Sequence, residues 1–501
     1  MTQFIESFFD DNSSGFKLWS KKVSDVKLNA EDIIFKGLML KMNRKNNKLK
    51  ERYFIMTQKQ MYYLKSEKNN KIRGVMETSW VRVEFITDEN EKDKKFCIRF
   101  IRNMKYCDFW VSDEKSFKEW KRQLSKVFIQ SDFHLKFNAI KMIGKGSFAR
   151  VYLVEDKETK LKYAVKAFSK EYLLSQSKGK ESLMNEVDIM MAIKNPYIMN
   201  LEEIHESKNS VYLVLELLEG GELFNYISSK NNISVADIHR VMKCLLEALA
   251  YLAEKKIMHR DLKPENMILK DKEKLENGTL KLVDFGLATF CDVPEYLFKR
   301  CGTPGYVAPE IINAPSNENI HYDPKCDVFS AGVIFYILIT GKSPFDGKSF
   351  QEILNQNKAC KIDFKNPKLH KYHNLISLLQ KMLEVNPANR FSARECLSHA
   401  FFKVTDSESV EELDDQEALL TNLKEFNIKN KIPLAKPDDN SSFVVRDGGV
   451  INGEVNTIAD TSSQGGIDSF KNVGERGTRN PHAKRESIYK YVLTKEAANN
   501  K

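Results

Sequence analysis

The feature that most constrains the fold is an ordered set of polar residues in one short stretch. His259-Arg260-Asp261-Leu262-Lys263-Pro264-Glu265-Asn266 is followed, after the strand-like Leu280-Lys281-Leu282-Val283, by Asp284-Phe285-Gly286. An aspartate and an asparagine five residues apart carry little alone; their company decides the reading. Upstream, Gly144-Lys145-Gly146-Ser147-Phe148-Ala149 lies between strand-like Phe137–Ile143 and Arg150–Glu155. Glycines there let the backbone close over a ligand with no Cβ in the way. Lys166, in Tyr163-Ala164-Val165-Lys166, comes about twenty residues later. Glu186, in helix-like Ser182-Leu183-Met184-Asn185-Glu186-Val187, offers the carboxylate that a buried ammonium needs. Ala308-Pro309-Glu310 closes the series.

Five signatures in this order, over a span of domain size, resemble the eukaryotic protein kinases. The resemblance covers residues 137–402 and implies a bilobal fold that binds ATP and Mg²⁺. It implies that Gly144, Lys145, Gly146, Ser147, Phe148 and Ala149 cover the phosphates, with Ala149 where a third glycine is usual. Lys166 would grip the phosphates and pair with Glu186. Asp261 would act on the substrate hydroxyl, Lys263 would meet the γ-phosphate, and Thr303 would bind Asp261 and Lys263. Asn266 and Asp284 would supply the hard oxygens that Mg²⁺ requires. Ile143, Val151, Ala164, Leu215, Ile268 and Val283 would line the adenine pocket, with backbone groups of Glu216 and Leu218 at its edge. Glu310 with Arg390, and Asp327 behind the catalytic loop, read as structural.

Residues 35–111 read instead as short strands punctuated by Lys-Asn-Asn clusters. A helix over 113–128 follows, with Phe117, Trp120, Leu124 and Phe128 on one face. Short strands closed by one tryptophan-bearing helix resemble a pleckstrin homology (PH) domain, placed here at 33–129. The expected fold is thus α+β: a PH-type β-barrel capped by one C-terminal helix, then a bilobal kinase. The net charge of +10 concentrates in residues 31–130, with about 24 basic and about 14 acidic side chains. Lys41, Arg44, Lys45, Lys48, Lys50 and Arg52 cluster on and between the first two strands. Lys41 followed by Lys50-x-Arg52 resembles the basic signature of phosphoinositide-binding PH domains. That resemblance implies a lipid surface as partner and no nucleic acid.

No run of about 18 apolar residues and no signal-peptide pattern occurs, so the expected location is cytoplasmic, with recruitment to membranes. Eight scattered cysteines read as reduced thiols. Lys263, Glu265 and Gly302-Thr303-Pro304-Gly305-Tyr306 resemble serine/threonine kinases; Gly220-Gly221-Glu222-Leu223-Phe224 and His399-Ala400-Phe401-Phe402 resemble the calcium/calmodulin-dependent group. Glu222 matches the acidic position that reads a basic residue upstream of the target Ser or Thr in basophilic kinases, and Glu265 adds negative charge nearby. Residues 1–32 form an extension without assignment, 405–432 a regulatory segment with Leu419, Leu423 and Phe426 at helical spacing, and 433–501 a disordered tail. Acids flanking that segment count against calmodulin, whose targets are basic helices. At the activation-loop position where a phosphothreonine normally sits stands Lys299, so Arg260 is expected to take a carboxylate from Asp292 or Glu295. The rival reading is a lipid-binding scaffold with an idle kinase fold.

Overall fold

The computed structural model describes residues 7–10, 17–20, 28–42, 48–68, 71–88, 95–146, 148–229, 235–271, 280–314, 322–366, 369, 372–403 and 420–426. Arg44, Lys45, Ser147, the acidic stretch after Phe402 and the tail lie outside these residues.

Alternation of inward and outward side chains builds the first sheet. Strand β1 (Ile33–Met42) buries Met39 and leaves Ile34, Leu38 and Met42 exposed. There follow β2 (Leu49–Thr57), β3 (Gln60–Leu64), β4 (Ile72–Glu77), β5 (Arg82–Asp88), β6 (Lys95–Arg102) and β7 (Lys105–Val111). Their order is β4-β3-β2-β1-β7-β6-β5. Helix α1 (Glu114–Leu124) packs across them, and its N-cap Asp113 accepts the Ser116 N–H at 2.8 Å. Trp120 is buried between Phe35 and Phe54, and its Nε1 donates to the Leu38 carbonyl at 3.1 Å. Gly37 is required here, because a Cβ would lie 2.9 Å from the Trp120 ring. The spacing of apolar residues carries the expected helix to Phe128, but it ends at Leu124. Val127 and Phe128 still reach the same core, in the turn that leads to the next strand.

That strand, β8 (Ile129–Gln130), joins the two folded parts. It leads through α2 (Phe133–Lys136) into β9 (Phe137–Lys145), β10 (Arg150–Asp156) and β11 (Lys162–Ser169). Helices α3 (Lys170–Ser175) and α4 (Gly179–Ala192) precede β12 (Leu201–Glu206) and β13 (Ser210–Glu216). β8 runs parallel to β5 on one side and to β12 on the other: Ile129 pairs with Arg82 and with Ile204. Thirteen strands therefore form one continuous sheet. Gln130, fully buried, accepts the Ser125 hydroxyl at 2.9 Å and donates to Glu203 at 3.2 Å.

The second lobe is mainly helical. β14 (Gly221–Glu222), α5 (Leu223–Ser229), α6 (Val235–Glu254), β15 (Ile257–Met258), β16 (Met267–Leu269), β17 (Leu280–Leu282) and β18 (Thr289–Phe290) surround the catalytic loop. α7 (Pro309–Ile312) and α8 (Lys325–Thr340) follow. α6 buries the predicted stripe of Ile238, Met242, Leu245, Leu249 and Leu252. α8 is apolar all round and buried from Cys326 to Thr340, as a helix at the centre of a lobe must be. No helix among the described residues is long and apolar enough to cross a membrane. All eight cysteines are free thiols.

Among the described residues of the N-terminal extension, 7–10 and 17–20 pack on the folded parts. Phe8 and Phe9 are buried, and Ser20 bridges to Val75 at the free edge of β4. Near that bridge, Trp19 packs on Phe54, Tyr63 and Phe109.

Candidate active site

The cleft between the lobes is walled by strand residues on one side and by the catalytic loop on the other. Val151 pairs with Gly144 across the β9–β10 turn, and the Gly146 N–H donates to the Ala149 carbonyl at 2.9 Å. Ile143, Gly144, Gly146, Phe148, Ala149, Val151, Ala164, Leu215, Glu216, Leu218, Ile268 and Val283 line the cleft, as do Lys166, Glu265, Asn266 and Asp284. Lys145 does not: it is exposed at the end of β9, opposite Arg150, because alternation turns it away from Gly144 and Gly146. Glu222 also stands outside the cleft, on β14 opposite Ile268, where Asn225 donates to it at 2.9 Å. Three lining residues were not anticipated: Phe168, Met199 and Leu217. Phe168 shares a strand face with Ala164 and Lys166, so period-two counting could have found it. Met199 sits in the loop before β12 and carries no sequence signal.

Lys166 on β11 reaches two carboxylates, Glu186 on α4 at 2.6 Å and Asp284 at 3.0 Å. Glu186 therefore stands behind the lysine rather than at the cleft wall. It is 1% exposed, so the pair fixes the position of α4 relative to the sheet. Asp284 adopts φ +62°, a left-handed conformation unfavourable for a residue with a Cβ. Arg260 does the same at φ +64°. Both strained positions flank the reacting region, where the surrounding contacts hold them in place.

The catalytic loop is hung from α8. Asp327 accepts the His259 N–H at 2.6 Å and the Arg260 N–H at 2.8 Å, and the His259 ring contacts the Val283 carbonyl at 3.0 Å. Burial raises the Asp327 pKa, opposed by His259 and those two N–H groups. Asp261 is then held on both oxygens. The Thr303 hydroxyl donates to Oδ1 at 2.6 Å, and Lys263 lies 3.1 Å from Oδ2 and 3.2 Å from the Thr303 hydroxyl. Burial works against the Lys263 ammonium, but Asp261 and Glu265 outweigh it and raise its pKa. Burial pushes the Glu265 carboxyl up, Lys263 pulls it back, and Glu222 pushes it up again. The Glu265 Oε2 is buried with no hydrogen-bond partner among the described residues. Asn266 donates its amide N–H to the Asp261 carbonyl at 2.8 Å, which leaves its hard Oδ1 available to a cation. With the Asp284 carboxylate in the same cleft, this donor set fits Mg²⁺.

Arg260 corrects one expectation. Its guanidinium donates to two backbone carbonyls, Leu287 at 3.0 Å and Phe298 at 2.6 Å, and lies over the Tyr296 ring. Glu295 pairs with Lys299 and Asp292 with Lys256 instead. Tyr296 stacks on Tyr322, whose hydroxyl donates to the Lys299 carbonyl at 2.8 Å. Arg390 pairs in bidentate fashion with Glu310, at 2.6 and 2.9 Å.

The basic hairpin is less organised. Lys41 pairs with Lys50 across β1 and β2, and Arg52 with Met39. Lys48 and Lys50 are exposed. Lys41 instead lies 4.1 Å above the Tyr63 ring and within 5.6 Å of Trp19. Arg52 donates to the carbonyl of its neighbour Glu51 at 2.7 Å.

The protein kinase domain family matches residues 137–402, and the PH domain family matches residues 33–128. Calcium-dependent protein kinase 4 of Plasmodium berghei is 36% identical over 315 residues, 62% of this chain and 58% of that protein. Calcium-dependent protein kinase 7 of Arabidopsis thaliana is 33% identical over 329 residues, 65% of this chain and 59% of that one. Myosin light chain kinase A of Dictyostelium discoideum is 38% identical over 273 residues, 53% of this chain and 87% of that protein. The chain thus spans less than two thirds of the calcium-dependent kinases it matches. A kinase-family match over more than half of the chain, behind a matched PH domain, is the shared finding. This chain belongs to the protein kinase family, with relatives in the calcium/calmodulin-dependent group, and carries a PH domain N-terminal to its kinase domain.

Proposed function

We propose that the protein is a serine/threonine protein kinase that transfers the γ-phosphoryl group of ATP to protein hydroxyls. The observation that carries this reading is the Asp261–Thr303–Lys263 triangle, whose Asp261 and Lys263 lie on the same loop as Asn266, which shares one cleft with Asp284 and the Glu186-paired Lys166. Asp261 orients the substrate hydroxyl and accepts its proton at the oxygen not held by Thr303. Lys263 and Lys166 neutralise phosphate oxygens, and the apolar wall from Ile143 to Val283 seats the adenine. Mg²⁺, held by Asn266 and Asp284, supplies further charge neutralisation when bound. The rival, an idle scaffold, lacks support because no member of the catalytic set is replaced. ATP turnover on an arrayed peptide library, with Asp284→Ala as control, tests the reading. Equal turnover by the variant would sink it.

Three finer features belong to this proposal. A basic residue upstream of the target Ser or Thr would meet Glu222 and the unpartnered Glu265 Oε2. The same peptide array tests that preference. The PH domain would recruit the kinase to anionic phosphoinositides through Lys48, Lys50 and the neighbouring basic residues, Arg44 and Lys45 included. Residues 420–426 would restrain the kinase: they form a helix with Leu420 and Leu423 buried and Phe426 against Phe224 of α5, beside Glu222. Leu423→Asp should raise basal turnover, and an unchanged rate would leave this helix a mere cap.

A further inference from the structure

Residues 7–10 make contacts that catalysis and lipid binding leave unexplained. Four residues near the N-terminus lie where the PH domain meets α4 and β12. On the PH side, the Phe9 ring stacks on Trp80 at 4.8 Å with an 18° interplanar angle. Asp10 accepts the Asn103 N–H at 2.7 Å. Both PH partners sit in tight turns with left-handed backbones, Trp80 at φ +59° and Asn103 at φ +50°. A left-handed tryptophan is costly and persists only where its surroundings hold it. On the kinase side, Glu206 at the end of β12 accepts the Ser7 hydroxyl at 2.6 Å and also takes the Phe8 N–H and Lys170. Lys180, in the first turn of α4, donates to the Asp10 carbonyl at 3.3 Å and lies 5.4 Å over the Phe8 ring. Phe9 is 2% exposed and belongs to the same apolar core as Val187 and Ile189 of α4.

Other contacts tie α4 to the catalytic centre. Asn185 donates to the Ala288 carbonyl at 2.7 Å, just past Asp284-Phe285-Gly286. Lys178 donates to the Leu297 carbonyl of the activation loop at 2.9 Å. Glu186 holds Lys166. One helix thus has the phosphate-gripping lysine on one side and residues 7–10 on another.

We propose that residues 7–10 are a positioning element. They clamp α4 from outside, keep Glu186 against Lys166, and make the seating of α4 depend on the PH domain through Trp80 and Asn103. The role rests on the kinase reading, but the restraint on α4 does not. The apolar seat is then a docking site for a Phe-Phe segment followed by an acid, filled here by this chain's own N-terminus.

Hydrogen exchange in the full-length protein without nucleotide tests the restraint directly. With Phe9→Ala, amides 182–190 of α4 should exchange about tenfold faster, while α8 exchanges as in wild type. Adding a synthetic peptide of residues 1–16 should restore protection saturably, and the same peptide carrying Phe9→Ala should not. If Phe9→Ala loosens α8 as well, Lys180→Met, which removes one contact of residues 7–10 with α4 and leaves Phe9 in place, decides by the same criterion. In turnover assays the loss should appear mainly as a higher KM for ATP, with kcat/KM down about tenfold. Unchanged α4 exchange in a folded variant, or equal rescue by the altered peptide, overturns the proposal. A wild-type protein that turns over no ATP would defeat the kinase reading and leave the exchange result standing.

Discussion

The catalytic cleft and the basic hairpin of the PH domain both depend on charged side chains, and they hold them in opposite ways. Around the cleft, Lys263, Asp261 and Glu186 are nearly dry, and each has a named partner within about 3.2 Å. On the hairpin, Lys48 and Lys50 stand in solvent, and Arg52 turns to its neighbour's carbonyl. A buried charge must be held by its partners, since desolvation is costly and only a correct geometry offsets it. An exposed charge attracts through its field and needs no fixed place. The cleft is therefore organised before its ligand arrives, whereas the hairpin offers charge that a ligand would have to organise.

The contrast can be broken by experiment. The largest effect should come from Asp261→Asn, which keeps the shape and removes the proton acceptor. Turnover should fall about 10²–10⁴-fold in protein that still folds, and a smaller loss would mean Asp261 is not the acceptor. Next, Arg390→Ala should destabilise the protein by about 3–5 kcal/mol in denaturant melts, because it strands Glu310 in a largely buried site. Lys48→Ala, a cation lost from the exposed setting, should change stability by less than about 0.5 kcal/mol. Equal costs for these two would erase the distinction. Lys50→Ala/Arg52→Ala should weaken binding to phosphoinositide vesicles by about 2 kcal/mol, roughly 30-fold, and added salt should do the same to wild type. Binding that resists both would point to a protein partner for this domain. The smallest effect concerns the activation loop. Arg260 is satisfied by the Leu287 and Phe298 carbonyls, so bacterially expressed protein treated with a broad phosphatase should keep its activity within about twofold. A large loss, restored by an upstream kinase, would show that those carbonyls do not substitute for a phosphate.

The same difference explains what could be read from the amino-acid order. Asp261, Lys263, Asn266 and Asp284 act at short, fixed separations, because one loop and one turn must present them together, and such spacing is visible in a string of letters. The PH strands showed through alternation and through Trp120. By contrast, Phe9 meets Trp80, and Glu206 meets Ser7, across long sequence separations with no periodicity to announce them. β8 is too short to carry a strand pattern, and its pairing comes from neighbours on both sides. The partners of Arg260 were misread for a related reason: backbone carbonyls can also accept a guanidinium's N–H groups, and every residue has one. Trp19 over Lys41 went unseen because the segment that carries it reads as featureless.

β8 has a consequence for reach. A flexible tether would let a membrane-bound domain trail its enzyme through any angle, like a dog on a lead. Two residues hydrogen-bonded into sheets on both sides act as a bracket instead, and swinging it would mean unzipping strands. If the hairpin settles on a lipid surface, the mouth of the cleft acquires a set height and bearing above that surface. Selection among target proteins would then depend on where each presents its serine or threonine, as well as on the residues around it.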